Sequence, residues 1–250
     1  EALPHGELIS HLGGKPRSNR AISKIISIPE KPIPASMIMF DLFQSSSNDM
    51  DSIHLSSLNL PNRFIDLRDY LIIHIGTNHH ARLWPLDLIR LLFSLAQETK
   101  KTIVLTGFRQ EVVYQDELEQ IIDSHRHTIK IVNLMGQTSL RELLELVSNA
   151  KGIISVDTGI IHWARLFLVP NLSMMGQSDN KLFGAARPYF KFSRSIASEP
   201  LECQDKHTFH GIKINWVATC ARNECPLPSR LCFDGIDRQQ IEKDFFELFS

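Results

Sequence analysis

Hydrophobic and polar positions switch between two periods along the middle of the chain. From Tyr70 to Met175 a short apolar, β-branched run ends at glycine or a polar turn and gives way to a stretch with helical periodicity, a unit that recurs five times. The strands read at Tyr70–Ile75, Thr102–Thr106, Ile129–Leu134, Gly152–Val156 and Asn171–Met175 lack in/out alternation. That is the pattern of parallel strands covered on both faces. Between them the spacing predicts helices at about Leu86–Gln97, Glu111–Ser124, Ser139–Asn149 and Ile160–Leu168. In Ser139–Asn149 the residues Leu140, Leu143, Leu144 and Val147 fall on one face, while Arg141, Glu142 and Glu145 lie elsewhere. Strand–helix alternation of this kind predicts a doubly wound α/β domain.

The flanks read differently. A helix is expected over Asn19–Ile26, running into Pro29, Pro32 and Pro34; a strand follows at Met37–Phe43, then the polar stretch Gln44–Ser52 as a loop or linker. After Met175 the periodicity fades through a long cysteine-bearing region until Ile236–Phe249 resumes an amphipathic pattern suited to a closing helix. The chain therefore divides into an N-terminal region 1–68, a domain 69–235 and a C-terminal helix 236–250.

Composition narrows the class. The 250 residues carry 27 Lys+Arg against 28 Asp+Glu, a net charge of -1, and are 43% hydrophobic, which suits a globular protein with a sizeable core and excludes disorder, collagen and coiled coil. Balanced charge removes the global electrostatic case for nucleic acid. No apolar run approaches the roughly 18–20 residues of a membrane span, so the chain is expected to be soluble, or at most peripheral to a membrane; its thiols, read as reduced, suit a cytoplasmic location. The sequence starts at Glu1 without an initiator Met or a basic-then-apolar leader, as expected of a processed chain or a piece of a longer one. All four cysteines, Cys203, Cys220, Cys225 and Cys232, fall in the late region without paired CxxC spacing. Reduced structural thiols are the first reading and a metal site the alternative.

Ligands of open α/β sheets bind at the carboxyl ends of the strands, so the loops there carry the chemistry. After the first strand, Gly76 allows close backbone approach, Thr77 and Asn78 offer hydrogen bonds, and Arg82 precedes a helix whose first turn is set by Pro85. That set suits a phosphate; the alternative is a polar turn with a surface Arg and Trp84 packed on the sheet edge. After the second strand, Glu111 either complements its own helix terminus or accepts from ribose hydroxyls. The third loop contains Met135 and Gly136 and ends at Ser139, with Glu142 three residues on in a capping-box arrangement. The fourth loop, Asp157-Thr158-Gly159 with His162 one turn into the following helix, places an acid, a hydroxyl and a glycine at a helix N-terminus. Such a terminus is an anion site, although Asp157 could equally be an N-cap and His162 a core imidazole. The fifth loop, Gly176-Gln177-Ser178-Asp179, reads as a further flexible polar turn on the same side.

Taken together, the segments HIGTNHHARLWP, TGFRQE, NLMGQTSLREL, SVDTGIIHWA and VPNLSMMGQSD resemble, in the same order, the donor-domain motifs of glycosyltransferase family nine, the heptosyltransferases of lipopolysaccharide assembly. In that family they look like HPG followed by K/R-x-WP, TG with a nearby acid, NLxGxTSLxEL, DTGxxH and xPxxxxxGxxD. The likeness runs from about Tyr70 to Asp179, and the segment Cys220–Cys225 with Cys232 is similar to a cysteine-containing tail of the family. The resemblance implies the C-terminal half of a GT-B enzyme, Rossmann-like, holding a nucleotide-diphosphate-sugar donor such as ADP-heptose. It implies inverting, metal-independent transfer to a lipopolysaccharide-core or other glycan acceptor, lipid-linked or not, at the cytoplasmic face of the inner membrane. By motif position, Arg82 would contact the donor phosphates, Glu111 the ribose, and Asp157, Thr158, Gly159 and His162 the pyrophosphate and sugar, with Gly76, Thr77, Met135 and Gly136 lining the same site. No cofactor or nucleic acid is implied.

The sequence departs from the family at its start. The family's first domain is a second Rossmann-like unit carrying a catalytic Asp in a Gly-Asp turn; fewer than about seventy residues precede the first strand here, and none forms that turn. His11-Leu12-Gly13-Gly14 is not that motif, and Asp41 is a weak substitute. The expectations are an acceptor domain or partner chain outside this sequence, or a reduced acceptor region, with a nucleotide-sugar-binding or partner-binding module without turnover as the alternative function.

Overall fold

The computed structural model describes residues 59–77, 80–107, 115–185, 191–209, 212–227 and 229–250, together with 9–10, 24–25, 32 and 35. Ile9–Ser10 (β1) and Lys24–Ile25 (β2) pair in parallel. This corrects the helix expected over Asn19–Ile26, since the β2 backbone is committed to a partner strand; the remainder of that helix and the strand Met37–Phe43 lie outside the described residues.

The body of the molecule is one parallel sheet of Tyr70–His74 (β3), Thr102–Thr106 (β4), Ile131–Asn133 (β5), Gly152–Val156 (β6), Asn171–Met174 (β7) and Ser193–Ile196 (β8), in the order β5-β4-β3-β6-β7-β8. All five strands expected from the apolar runs are present, each within two residues of its expected ends. β8 is the addition. Its sequence, Ser-Arg-Ser-Ile, offers one apolar side chain, so no hydrophobic pattern marks it; pairing with β7 along Asn171–Met174 makes it a strand.

Leu86–Thr99 (α1), Gln115–His125 (α2), Leu140–Asn149 (α3), Gly159–Leu166 (α4), Asn180–Phe183 (α5), Leu231–Asp234 (α6) and Arg238–Phe249 (α7) surround the sheet, and a small hairpin joins Thr208–Phe209 (β9) to Ile212–Lys213 (β10). Side chains alternate across a strand, and the core divides accordingly. Leu71 and Ile73 face α1, α2 and α7, packing with Trp84, Phe93, Phe245 and Phe249. Tyr70 and Ile72 face α3 and α4, packing with Leu146, Val147, Ile160 and Ile161. Both layers exclude water from the sheet, which is why its strands need no polar face.

Local signals hold the helices in place. Ser139 caps α3: its hydroxyl accepts from Glu142 N–H while the Glu142 carboxylate accepts from Ser139 N–H, the reciprocal box expected from the sequence. One turn on, the buried Glu145 carboxylate accepts the N–H groups of Arg63 and Phe64 and fastens the segment leading into β3. The chain runs outward from β3 through β4 to β5, then returns beside β3 as β6 and continues to β7 and β8. The reversal between β3 and β6 opens a crevice at their carboxyl ends, where ligands of such sheets bind.

Candidate functional site

Two loops meet over this crevice. From the β3 side, a 3-10 turn at His80–Arg82 carries Arg82, and the fully buried Trp84 donates its indole N–H to the His74 carbonyl at 3.0 Å. Trp84 is a core residue of the first layer, not a sheet-edge one. Arg82 donates from Nε to Gln177 Oε1 at 3.0 Å and from Nη1 to the Asp157 carbonyl at 3.4 Å, so the guanidinium is fixed across the switch point and is no loose surface cation.

From the β6 side, Thr158 is the N-cap residue of α4, and its side chain makes no capping bond; its Oγ1 pairs instead with Ser155 Oγ at 3.0 Å. Asp157 therefore does not cap the helix. Its carboxylate, with the side chain 12% exposed, accepts from Ser178 Oγ at 2.5 Å and faces His162 Nε2 at 3.5 Å. Burial pushes the Asp157 carboxyl up, but the His162 and Ser178 hydrogen bonds and the nearby His162 and Arg82 charges prevail and hold it below its ordinary value. It is a carboxylate at neutral pH. His162 is no core imidazole either, its side chain being 47% exposed. Among the described residues a Cβ placed on Gly159 would meet nothing within 4 Å, so they leave the helix start open. An uncapped helix start, a fixed guanidinium and a carboxylate thus share one crevice, an arrangement that suits an anion beside hydroxyl groups.

The fifth loop is more ordered than its polarity suggests. Gln177, Ser178 and Asp179 are all buried. Gln177 donates to the Arg222 carbonyl at 2.7 Å while accepting from Arg82, and Asp179 accepts from Leu182 N–H, capping α5, and from Ala218 N–H. Gln177 and Ser178 are members of the site that the sequence pattern passed over; their only signal is their place at the carboxyl end of β7. Arg165, on the last turn of α4, was likewise hidden within an apolar helix.

Of the other expected site residues, Gly76 and Thr77 lie directly after β3. Gly76 presses on Gly107, where an added Cβ would stand 2.4 Å from Gly76 N, and Gly107 itself has φ +133°. Met135 is buried in the core, and Gly136, at φ 70°, donates its N–H to the Gly107 carbonyl at 2.7 Å. These residues follow β3 and β5, at the same carboxyl end of the sheet as Asp157. Glu111 lies outside the described residues. The four cysteines are free and line one cavity beside Ala81 and Gln177. Burial, reinforced by the other three thiols, pushes Cys232 up to about 11. Among the described residues no three His, Cys, Asp or Glu side chains are placed to hold a metal ion.

His74 closes β3 beneath the site, its Nδ1 2.9 Å from Thr106 Oγ1. Burial pushes its imidazole down from 6.5 to about 4. The unfolded chain takes up this proton below about pH 6.5 and the folded chain does not, so the stability due to neutral His74 is complete above that pH. It is lost as pH falls toward 4, by roughly 3 kcal/mol at most. Denaturant unfolding between pH 7 and 4 should show this fall in the wild type and a flatter profile in His74→Gln.

The sequence matches the model of glycosyltransferase family 9 (heptosyltransferase) over residues 30–212. The chain belongs to this family. Among solved structures, the E. coli ADP-heptose LPS heptosyltransferase II is similar at a TM-score of 0.56 and 16% identity over 92% of this chain. E. coli heptosyltransferase WaaC with ADP gives 0.54 and 22% over 72%, and a family 9 glycosyl transferase of Veillonella parvula gives 0.54 and 15% over 91%. The chain covers 66%, 55% and 63% of these three chains' own lengths. These likenesses establish the α/β, Rossmann-like fold of family 9 members. No curated protein sequence matches the chain.

Proposed function

We propose that the β3/β6 crevice binds the nucleotide-diphosphate-sugar donor of a family 9 glycosyltransferase, ADP-heptose, and that the chain serves transfer of that sugar to a glycan acceptor of the lipopolysaccharide-core class. One observation carries this reading: Arg82 and Asp157, from loops on opposite sides of the switch point, are hydrogen-bonded around the uncapped start of α4. Family membership and the ADP held by the WaaC structure support it.

Each group has a role set by its charge. Arg82 and the first N–H groups of α4 neutralise the diphosphate, which is also the leaving group, so charge developing on it in the transition state meets dipoles already in place. This assistance comes from the protein's own cations and amides and requires no metal. Asp157, being ionised, repels phosphate and instead accepts hydroxyls of the sugar; His162, exposed beside it, supplies a second polar contact. Gly159 leaves room for the donor, Thr158 contributes a hydroxyl at the helix start, and Gly76, Thr77, Met135 and Gly136 form the floor toward the nucleoside, whose ribose is assigned to Glu111. Displacement inverts the anomeric centre, with the proton acceptor supplied from the acceptor side. Residues 69–235 are the donor-binding domain, 236–250 its closing helix, and 1–68 belong to the acceptor side. No helix among the described residues is long and apolar enough to cross a membrane, and we place the chain at the cytoplasmic face of the inner membrane, where such acceptors are built.

Arg82→Ala should weaken ADP and ADP-heptose by about 10-fold or more, as expected for loss of a charge-assisted phosphate contact, and leave adenosine unchanged. Calorimetry with the three ligands decides this; equal losses would overturn the phosphate assignment. Donor binding with neither sugar transfer nor donor hydrolysis would assign the chain as a binding module.

A further inference from the structure

Arg165 is the least expected residue of the site's surroundings. It lies on α4 between Ala164 and Leu166 and is 5% exposed, in a helix otherwise buried through Ile160, Ile161 and Ala164. A buried guanidinium carries a desolvation cost that an apolar side chain of similar volume avoids. Among the described residues its hydrogen bonds include no carboxylate partner that would offset this. Nη1 donates to the Phe183 carbonyl at 3.0 Å, Nη2 reaches Ser173 Oγ at 3.4 Å, and buried Nε has no partner among the described residues. The remaining contact is the informative one: Nη1 lies 3.3 Å from His162 Nδ1.

Guanidinium nitrogens only donate. The Nδ1 facing Arg165 must therefore be the acceptor nitrogen of the ring, and a neutral imidazole with Nδ1 as acceptor carries its hydrogen on Nε2. Nε2 is the atom that faces Asp157 Oδ1 at 3.5 Å, and Asp157 in turn accepts from Ser178. The contacts form a directed relay in which Arg165 donates to His162, His162 donates to Asp157, and Ser178 donates to Asp157 from the other side. The relay requires one tautomer. Without Arg165, the free ring could place its hydrogen on either nitrogen, and the Nδ1–H form would turn a lone pair toward the carboxylate.

We propose that Arg165 is a positioning residue that locks His162 in its Nε2–H tautomer and thereby aims the imidazole hydrogen at Asp157 and at ligand oxygens entering the crevice. The consequence for donor binding rests on the donor-site reading above; the tautomer does not.

Long-range nitrogen-15 correlation spectra of ring-labelled protein, recorded on the alkaline plateau of the His162 ring shifts, read the tautomer directly. In the wild type His162 should show a pyrrole-type Nε2 and a pyridine-type Nδ1. Arg165→Met, which fills similar volume without a donor, should show mixed or Nδ1–H character, and Arg165→Lys, which restores a cationic donor, should return toward the wild-type pattern. A wild-type ring protonated at Nδ1, or an unchanged tautomer in folded Arg165→Met, overturns the proposal. Should Arg165→Met fail to fold, the wild-type spectrum still decides. The linked expectation is a roughly 10-fold weaker ADP-heptose affinity in Arg165→Met, with little further loss on adding His162→Ala. A tautomer shift accompanied by no donor binding in any variant, wild type included, would sustain the lock and sink the donor-site reading instead.

Discussion

Asp157→Ala is expected to weaken ADP-heptose binding by about 100-fold or more while the protein stays folded. Asp157 combines three properties: it is ionised, largely buried, and held by hydrogen bonds from a neighbouring loop and helix. A carboxylate fixed in this way accepts strong, charge-assisted hydrogen bonds from sugar hydroxyls, and alanine removes all of them at once. The protein itself loses the Ser178 contact, a cost of about 1–2 kcal/mol, which a stable α/β domain tolerates. Asp157→Asn separates the two effects, since it keeps the volume and loses the charge. Calorimetric titration with ADP-heptose and with ADP measures both variants; the sugar nucleotide should lose far more affinity than ADP. Equal affinity of wild type and Asp157→Ala for the sugar nucleotide would remove Asp157 from the site.

The second large effect is on stability. Gly107 stands where the chain leaves β4 and passes Gly76 at the end of β3, with φ +133° and no room for a Cβ, which would lie 2.4 Å from Gly76 N and 2.8 Å from its Cα. Both obstacles are backbone, so no side chain can move aside. Alanine there combines a strained backbone conformation with displacement of the β3 loop, and the expected loss is about 3 kcal/mol or more. Because Gly136 N–H bonds to the Gly107 carbonyl, the β5 loop should move as well. Denaturant midpoints for Gly107→Ala measure the loss directly. A change below about 1 kcal/mol would mean that these loops tolerate displacement and that the close packing of the two glycines does not hold the site.

Strands β3, β4 and β6 and the helices between them were legible because a strand inside a parallel sheet covered on both faces meets no water and is apolar nearly throughout; β5, half-buried at the edge, and β7, with Asn171 and Ser173, carry the same signal more weakly. The Ser139 cap was legible because its chemistry is local, two residues three apart. β8 was not, since Ser193-Arg194-Ser195-Ile196 is a strand through pairing with β7 rather than through its own side chains. The site divides in the same way. Loops flanked by strong strand and helix signals pointed to Arg82, Asp157, Thr158, Gly159 and His162, and the fold brings these together. Gln177 and Ser178 were passed over because a run of polar residues looks alike whether it is solvated or, as here, buried and bonded to Arg82 and Asp157. Sequence alone does not separate Asp157 as ligand contact from Asp157 as cap, or His162 as site residue from core imidazole; the N-cap of α4 at Thr158 and the 47% exposure of the His162 side chain do. Arg165 had no sequence signal, because a cation inside an apolar helix face acquires meaning only from what it touches.

The claim that the β3/β6 crevice is the donor site is tested most directly by mapping ADP-heptose onto the free protein through backbone and arginine side-chain nitrogen-15 shifts. Saturable changes are expected at Gly159, Ile160 and His162 and at the Arg82 Nε–H, with little change around the cysteine-lined cavity. Saturable binding that leaves Arg82 and the start of α4 unperturbed, or no binding at millimolar donor, would contradict it.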